Sequence, residues 1–281
     1  MKKKIIFWVL FIFYISCIYS QSYYRKFEWE NFDRSGYWIS CNISKKDLIN
    51  SYNELGLTKD QKKFEIEFEP VEYTYSSQAE KKRKQREIQK MFDRKERKAR
   101  KKWLKMLKKN GFIIRNNKLM LDHKGIFQNN LHRVNKYCGG FVKIAKEQGL
   151  NFYEFEKLLL SFVQEIKYVK VPLYRGKYYT QGLYTPIEIL VKKRGDCDSK
   201  SILLATLLCS ITETKMILID LKRHMIVGIE GNPRSGQTYL QLGNKNFILC
   251  ETSTGVWLPG NIDNSIKRQL KRGQYKVIKL Y

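Results

Sequence analysis

The chain contains the stretch Gly195-Asp196-Cys197-Asp198-Ser199-Lys200-Ser201, followed directly by the apolar run Ile202-Leu203-Leu204-Ala205-Thr206-Leu207-Leu208. This pattern predicts a buried helix whose first turn carries Cys197, with Asp196 as its N-cap residue. Backbone N–H groups at a helix N-terminus carry partial positive charge. A thiol held there is shifted toward thiolate, its reactive form. The stretch therefore predicts a cysteine nucleophile at the start of a central helix.

Cys197 has a second interpretation, as a small buried thiol of the core. Its polar neighbours favour a cysteine at the surface or in a cleft instead. Asp196 and Asp198 raise the pKa of the thiol if their charges face the sulfur. A reactive cysteine here therefore requires a base close by, or acidic side chains that turn away onto backbone N–H groups.

A histidine and a glutamate that follow Cys197 in the sequence complete a candidate catalytic set. His224 begins the strand-like run Met225-Ile226-Val227-Gly228-Ile229, and Glu251 follows the run Phe247-Ile248-Leu249-Cys250. Cysteine, then histidine, then acid is an order in which a nucleophile, its base and the group that orients the base can be arranged. Asp220 and Asp263 are rivals for the acid, and a purely structural histidine is the alternative for His224.

Helix-like and strand-like patterns form two successive blocks from residue 112 onward. Apolar spacing and capping residues predict helices over residues 131–146 and 152–166, then a short helix that opens at Thr185-Pro186-Ile187-Glu188, and then the cysteine helix. Strand-like runs follow at residues 215–221, 224–229, 238–242, 247–250 and 275–280. A group of helices followed by a group of strands is the pattern of an α+β protein.

Residues 185–259 resemble the transglutaminase-like superfamily, which has the papain-related thiol fold. The resemblance lies in five ordered pieces: Pro186-Ile187-Glu188-Ile189-Leu190, the stretch 195–201, His224-Met225-Ile226-Val227-Gly228, Cys250-Glu251-Thr252 and Trp257-Leu258-Pro259-Gly260. Upstream, residues 161–168 are similar to the helix that precedes the core in bacterial members. The resemblance implies an α+β fold with a papain/transglutaminase-like core. In that core the nucleophile-bearing helix packs on an antiparallel β-sheet, preceded here by a helical basic segment.

The resemblance also implies a Cys–His–acid triad that acts on amide or peptide bonds through an acyl-thioester. Carried onto this sequence, Cys197 is the nucleophile, His224 the base and Glu251 the orienting acid. The commoner family pattern has Asp where this chain has Glu251, which is longer by one methylene. The backbone N–H of Cys197 is the default oxyanion donor, with Gln181 as a second candidate and Asp196 as a supporting residue. A peptidase or amidase acting on a protein or peptide substrate is favoured over a crosslinking transglutaminase.

The overall composition bounds the class of protein. The chain has 281 residues, 43% hydrophobic and 14% aromatic content, and a net charge of +27. The hydrophobic content excludes a disordered chain. The charge predicts attraction to something acidic, such as nucleic acid, anionic lipid, a cell-wall polymer or an acidic protein. The alternative function is therefore a catalytically inactive transglutaminase-like module that holds a polyanion, cell-wall or membrane partner on its basic surface.

Residues 80–109 concentrate this charge. They hold 16 Lys or Arg residues against 4 Asp or Glu residues, a local net charge of +12, and contain no Pro or Gly. One long helix ending near residues 110–111 is predicted. A narrow apolar stripe runs along it through Ile88, Phe92, Ala99, Trp103 and Leu107. The segment is either a contact for a polyanion or membrane surface, or a solvated helix that its stripe packs onto the next domain.

The first twenty residues are typical of an export signal. Lys2, Lys3 and Lys4 precede an apolar run over residues 5–15, and cleavage is expected after Ser20. This predicts a secreted or periplasmic protein, with an uncleaved membrane anchor or a lipoprotein cysteine at Cys17 as alternatives. Of the other cysteines, Cys41 and Cys138 are the pair that a disulfide could join, although the sequence leaves this open.

The predicted organisation has four parts. They are a signal peptide or anchor at 1–20, a segment of unknown role at 21–79, the basic helix at 80–110 and the catalytic domain at 111–281. The sequence contains no metal-ligand cluster, phosphate loop or nucleotide fingerprint, so no metal, nucleotide or other cofactor is expected.

Overall fold

The computed structural model describes residues 22–66, 74, 76–253 and 255–281. The predicted signal or anchor segment at 1–20 lies outside these residues. The described part is a mixed α and β structure with an antiparallel sheet. Its helices are α1 (Lys45–Asn53), α2 (Gln78–Lys109), α3 (His123–Asn135), α4 (Gly139–Glu147), α5 (Phe152–Glu165), α6 (Pro186–Lys192), α7 (Cys197–Ile211) and α8 (Asn264–Lys271).

The strands form one five-stranded sheet and several two-stranded pairs. The strands of the large sheet are β9 (Met216–Leu221), β10 (His224–Glu230), β11 (Tyr239–Leu242), β12 (Lys245–Cys250) and β13 (Tyr275–Lys279), in the spatial order β11-β12-β10-β9-β13. The pairs are β1 (Ser22–Glu30) with β2 (Gly36–Ser44), β3 (Phe112–Arg115) with β4 (Lys118–Leu121), β5 (Lys167–Tyr168) with β8 (Arg194–Gly195), and β6 (Tyr174–Arg175) with β7 (Tyr178–Tyr179).

The large sheet is buried on both faces. Met216 and Leu218 of β9 belong to the main core with α7, whereas Ile217 and Ile219 pack with a second cluster that includes Ile266 of α8. A strand buried on both faces needs a near-continuous apolar run, which explains why β9 and β10 show no alternation of polar and apolar residues. The predicted strands at 215–221, 224–229, 238–242, 247–250 and 275–280 are all present within one or two residues.

Helix α7 is the centre of the main core. Every side chain from Ile202 to Leu208 is buried, so the helix is enclosed on all sides. It packs against α3, α5 and α6 and against strand β10 of the sheet. Burying one leucine completely contributes roughly 1.5–3 kcal/mol, so this run fixes α7 firmly in place.

The N-terminal hairpin joins the same core. Phe27 and Trp29 of β1 lie edge-on to Phe162 of α5, with ring centroids 5.2 and 5.3 Å apart. Phe162 in turn contacts Phe141 of α4 at 4.8 Å. Residues 22–57, for which the sequence predicts no role, therefore help to fix α5 against α7.

The basic helix is present as predicted. Helix α2 spans Gln78–Lys109, and Ser77 accepts a hydrogen bond from the backbone N–H of Glu80 at its start. Its C-terminal end is anchored by the buried Leu107 and by Trp103, whose indole N–H donates to the carbonyl oxygen of Gln61 at 3.0 Å. Packing by the apolar stripe is thus strongest at this end, and the opposite face exposes most of the lysines and arginines.

The helix predicted over residues 131–146 is wrong as drawn, because the structure has two helices there. Helix α3 ends at Asn135, and α4 begins at Gly139. A Cβ atom on Gly140 would lie 2.8 Å from Cγ2 of Ile39, so this position requires glycine to let strand β2 approach. The intervening turn is fixed by the Tyr137 hydroxyl, which contacts Asp47 Oδ2 at 2.7 Å.

Two further expectations concern cysteines and membranes. Cys41 and Cys138 are both free thiols, so the disulfide left open by the sequence is not formed. No helix within the described ranges has the length and apolar character needed to cross a membrane.

Candidate active site

Cys197 is the first residue of helix α7, as the sequence predicts. Asp196 is the N-cap residue, and its Oδ1 accepts from the backbone N–H of Ser199 at 3.1 Å and from the Ser199 hydroxyl at 2.5 Å. Gly195 leads into the turn by pairing with Tyr168 between β8 and β5. The side chain of Cys197 is only 7% exposed. Of the two predicted settings, the surface and a cleft, the open surface is therefore excluded, because Cys197 is largely buried.

His224 and Glu251 meet as the sequence predicts. Strands β10 and β12 are antiparallel, and Val227 pairs with Cys250. The first residue of β10 and the residue after β12 therefore lie at the same end of the sheet. The Nε2 atom of His224 is 2.7 Å from Oε2 of Glu251, and both side chains are largely shielded from solvent. The longer side chain of Glu251 thus reaches the imidazole.

Glu251 is held by Ser253 as well as by His224. Its Oε1 atom accepts from the backbone N–H of Ser253 at 2.8 Å and from the Ser253 hydroxyl at 2.7 Å. Burial raises the pKa of this carboxyl, but the hydrogen bonds from His224 and Ser253 outweigh burial and lower the pKa below its ordinary value. Glu251 is therefore an ionised acceptor that fixes the ring of His224 through its Nε2 atom.

The rival acids lie elsewhere. Asp263 caps helix α8, where its Oδ1 accepts from the backbone N–H of Ser265 at 2.7 Å. Asp220 is opposite Met225 in the β9–β10 pairing, and its pKa is raised by burial. Glu251 is thus the acid that contacts His224.

The end of strand β10 adjoins the sulfur of Cys197. The backbone N–H of Met225, the residue after His224, acts to lower the pKa of this thiol. The hydroxyl of Ser201, one turn along α7, donates to the carbonyl oxygen of Met225 at 3.3 Å. Helix α7 is therefore bonded, through Ser201, to the strand that carries His224.

The predicted shift of Cys197 toward thiolate is wrong for the resting molecule. Burial raises the pKa of the thiol to about 12, and the charge of Asp198 adds to the effect. The thiol also donates to Asp198 Oδ1 at 3.3 Å. The Asp196 carboxylate accepts hydrogen bonds from Ser199, which is the arrangement that a reactive cysteine requires. The Asp198 carboxylate contacts the sulfur instead. These effects outweigh the partial positive charge of the helix N-terminus.

Asp198 is itself perturbed by this environment. Burial raises its pKa, and the charges of Asp196 and Asp220 raise it further, while Cys197 and His224 act in the opposite direction. The sequence predicts that Asp198 raises the pKa of the thiol if its charge faces the sulfur. The effect of His224 on Asp198 depends on the tertiary packing of α7 against β10.

Three consecutive polar residues on the buried side of α7 hold the site together, and all three are fully buried. Ser199 accepts from the backbone N–H of Tyr184 at 3.0 Å. Ser201 lies 3.0 Å from the hydroxyl of Thr252, in the loop after Glu251. Between them, Lys200 donates to three backbone carbonyl oxygens. The apolar run that predicts α7 gives no indication of these partners.

Tyr168 is a site residue that sequence reasoning missed. It pairs with Gly195 in the two-residue strands β5 and β8, and the nearby Cys197 acts to raise the pKa of its hydroxyl. Burial raises the pKa of Tyr168, and the neighbouring charges of Cys197, Asp196 and Asp198 contribute. Because Tyr168 is 45% exposed, it forms the outer wall over the buried sulfur.

Gln181 lies in the segment that approaches the first turn of α7, three residues before Tyr184. It has a left-handed backbone with φ of 54°, and its Oε1 atom is buried without a hydrogen-bond partner. Lys193 and Arg223, which lead into the cysteine motif and into His224, also have positive φ values of 52° and 66°. Such backbone strain is characteristic of functional sites. The oxyanion role of Gln181 stays a prediction.

The described part of the chain contains no group of three or more His, Cys, Asp or Glu side chains arranged to hold a metal ion. A comparison of the sequence with protein-family models finds no match, and a comparison with curated proteins finds none either. The chemistry of the site is therefore argued from its own geometry.

Removing the charge next to the sulfur should make Cys197 more reactive. We expect Asp198→Asn to lower the pKa of the thiol and to speed its alkylation by iodoacetamide at about pH 9 by roughly tenfold. The matched control is Asp196→Asn, which keeps an N-cap side chain and removes a charge that faces Ser199. Equal effects of the two substitutions, measured by mass spectrometry of Cys197, would show that the 3.3 Å contact does not control the thiol.

Proposed function

We propose that this protein is an exported thiol enzyme that cleaves amide or peptide bonds, with Cys197 as nucleophile, His224 as base and Glu251 as orienting acid. The observation that carries the proposal is the 2.7 Å contact between His224 Nε2 and Glu251 Oε2 at two strand ends. The cysteine at the N-terminus of α7 supports it, because this helix packs against the strand that carries His224. Export is proposed from the basic and apolar pattern of residues 2–20.

A papain/transglutaminase-like core is part of the same proposal. Support comes from the order of the elements, in which a cysteine-bearing helix precedes the strands that carry the histidine and the acid. Helix α7 also packs against strand β10 of the antiparallel sheet. A fold of this kind accommodates several chemistries, so the reaction is argued from the site.

The resting site favours a neutral thiol, since burial and Asp198 raise the pKa of Cys197 to about 12. Attack therefore requires that His224 Nδ1 accept the thiol proton as the sulfur approaches the substrate carbonyl carbon. Glu251 stabilises the imidazolium that forms, because its carboxylate already accepts from the opposite ring nitrogen. The backbone N–H of Met225 stabilises negative charge on the sulfur during the same step.

The same groups serve the bond-forming and bond-breaking steps that follow this proton transfer. The C–S bond forms, the carbonyl oxygen takes up negative charge, and the free N–H groups at the start of α7 are the default donors to it. His224 returns its proton to the leaving amine as the C–N bond breaks. Water then attacks the thioester, with His224 again as base, and releases the acid and the free thiol. A primary amine in place of water gives transamidation.

The direct test of this function is acyl transfer to Cys197. With p-nitrophenyl acetate as acyl donor, we expect acetylation of Cys197 and release of p-nitrophenol. Cys197→Ser and His224→Ala should each slow this acylation by roughly a hundredfold or more, and Glu251→Gln by a smaller factor, because base catalysis typically contributes that much.

The matched controls are Cys209→Ser, a partly buried thiol on the same helix, and His132→Ala on α3. Both should acylate at the native rate. Acylation of native protein that is equally fast in His224→Ala, or that falls on another cysteine, would contradict the enzyme proposal.

A binding module without catalysis is the second candidate, and two observations favour it. The pKa of Cys197 is raised instead of lowered, and α2 presents a dense cationic face. In this proposal the basic surface holds a polyanion, and the cysteine site is a structural remnant.

Binding through α2 should depend strongly on salt. We expect affinity for heparin, a polyanion probe, to fall by at least roughly tenfold between about 0.05 and 0.2 M salt, because binding releases counterions. Neutralising Lys98 and Lys101 to Gln should weaken binding more than neutralising the exposed pair Lys170 and Lys222. Binding without salt dependence, or equal losses for the two pairs, would exclude α2 as the contact.

A further inference from the structure

Lys200 is a lysine with no exposed surface, located three residues after Cys197 on helix α7. Its ammonium group donates to three backbone carbonyl oxygens. They belong to Ile166 at 2.7 Å, Ser253 at 2.8 Å and Gln164 at 3.1 Å. An ammonium has three N–H bonds, so these carbonyls satisfy it completely.

A buried charge of this kind is costly to keep. Burial lowers the pKa of Lys200 to about 8, while the charges of Glu251 and Glu165 act to raise it. The carbonyl oxygens favour the charged form, because an amine has only two N–H bonds to donate. A leucine or methionine would fill the same space without a desolvation cost. We therefore attribute the lysine at this position to the hydrogen bonds that its ammonium donates to the three carbonyl oxygens.

The partners of Lys200 lie on the loop that carries the proposed acid. Ser253, whose carbonyl oxygen accepts from Lys200, donates both its N–H and its hydroxyl to Glu251 Oε1. Gln164 also binds this loop. Its Nε2 donates to the carbonyl oxygens of Glu251 at 2.8 Å and of Trp257 at 2.9 Å. Lys200 and Gln164 thus hold the backbone of residues 251–257 at three carbonyls.

The same contacts form a closed chain around the site. Lys200 bonds to Ser253, Ser253 to Glu251 and Glu251 to His224. The strand that carries His224 returns to α7 through Met225 and Ser201. The helix that presents Cys197 therefore also fixes, from its next turn, the position of the acid.

We propose that Lys200 is a positioning residue of the thiol site, which holds Glu251 in register with His224 by binding the carbonyl oxygen of Ser253. The expected effect of Lys200 on catalysis rests on the proposed function. The expected effect of Lys200 on the position of Glu251 does not. Loss of the ammonium leaves three buried carbonyls without donors and releases the loop after β12. Misplacement of Glu251 by about 1 Å can lower the rate by roughly a hundredfold.

The test uses Lys200→Met, which keeps an unbranched side chain only one atom shorter and removes its charge. We expect acylation of Cys197 by p-nitrophenyl acetate, per folded molecule, to fall by roughly tenfold to a hundredfold. Lys200→Gln, which keeps an amide donor, should lose less and serves if the Met variant does not fold. The matched control is Arg133→Met, which removes a buried cation that pairs with Glu54 far from the triad. This variant should lower stability and leave the rate per folded molecule unchanged.

A double-mutant cycle separates positioning of Glu251 from general damage. If Lys200 acts through Glu251, adding Lys200→Met to Glu251→Gln should slow acylation little further. Losses that multiply, or a native rate in Lys200→Met, would overturn the proposal.

Amide hydrogen exchange gives a readout that does not need catalysis. Lys200→Met should speed exchange at the Ser253 N–H by roughly tenfold or more, and Arg133→Met should not. If the native protein does not acylate but this difference is found, the proposed function fails and the positioning role stands. Native protection of Ser253 in Lys200→Met would overturn the positioning role whatever the enzyme does.

Discussion

The buried ammonium of Lys200 is the constraint on which the site geometry depends. A charge with no access to water must find its full set of acceptors inside the protein, and Lys200 finds them in three carbonyls from two separate segments. These segments are the end of α5 with β5, and the loop after β12. Because the apolar run of α7 fixes the helix in the core, the ammonium fixes both segments relative to Cys197.

The thiol shows a competition between two effects of its location. The helix N-terminus favours negative charge on the sulfur, typically by less than about 1 kcal/mol at exposed sites. Burial and the carboxylate of Asp198 disfavour it by more, and they raise the pKa of Cys197 to about 12. A buried cysteine of this kind becomes a nucleophile only with a base beside it. In the proposed function that base is His224, whose Nε2 contacts the carboxylate of Glu251.

Local sequence patterns predicted much of this arrangement because they depend on nearest neighbours along the chain. The N-cap at Asp196, the proline at the start of α6, the strands of the large sheet and the basic helix all follow from such patterns. The pairing of His224 with Glu251 was also predicted, from two strand ends that an antiparallel sheet brings together.

The remaining features depend on contacts between distant segments, which periodicity does not encode. Tyr168 reaches Cys197 through a two-residue strand, too short to give a pattern. The start of α4 depends on a distant segment as well, because only a glycine at position 140 leaves room for Ile39 of β2. The burial of Cys197 raises the pKa of the thiol, whereas its place at a helix N-terminus alone predicts a lowered one.

The rate of alkylation of Cys197 by iodoacetamide, followed from about pH 5 to pH 10, tests most directly whether His224 serves this buried thiol as a base. A His224-dependent base gives a plateau of reactivity around neutral pH, which is absent from His224→Ala, below a further rise at high pH. A single rise confined to high pH and identical in native protein and His224→Ala would contradict the pairing of Cys197 with His224.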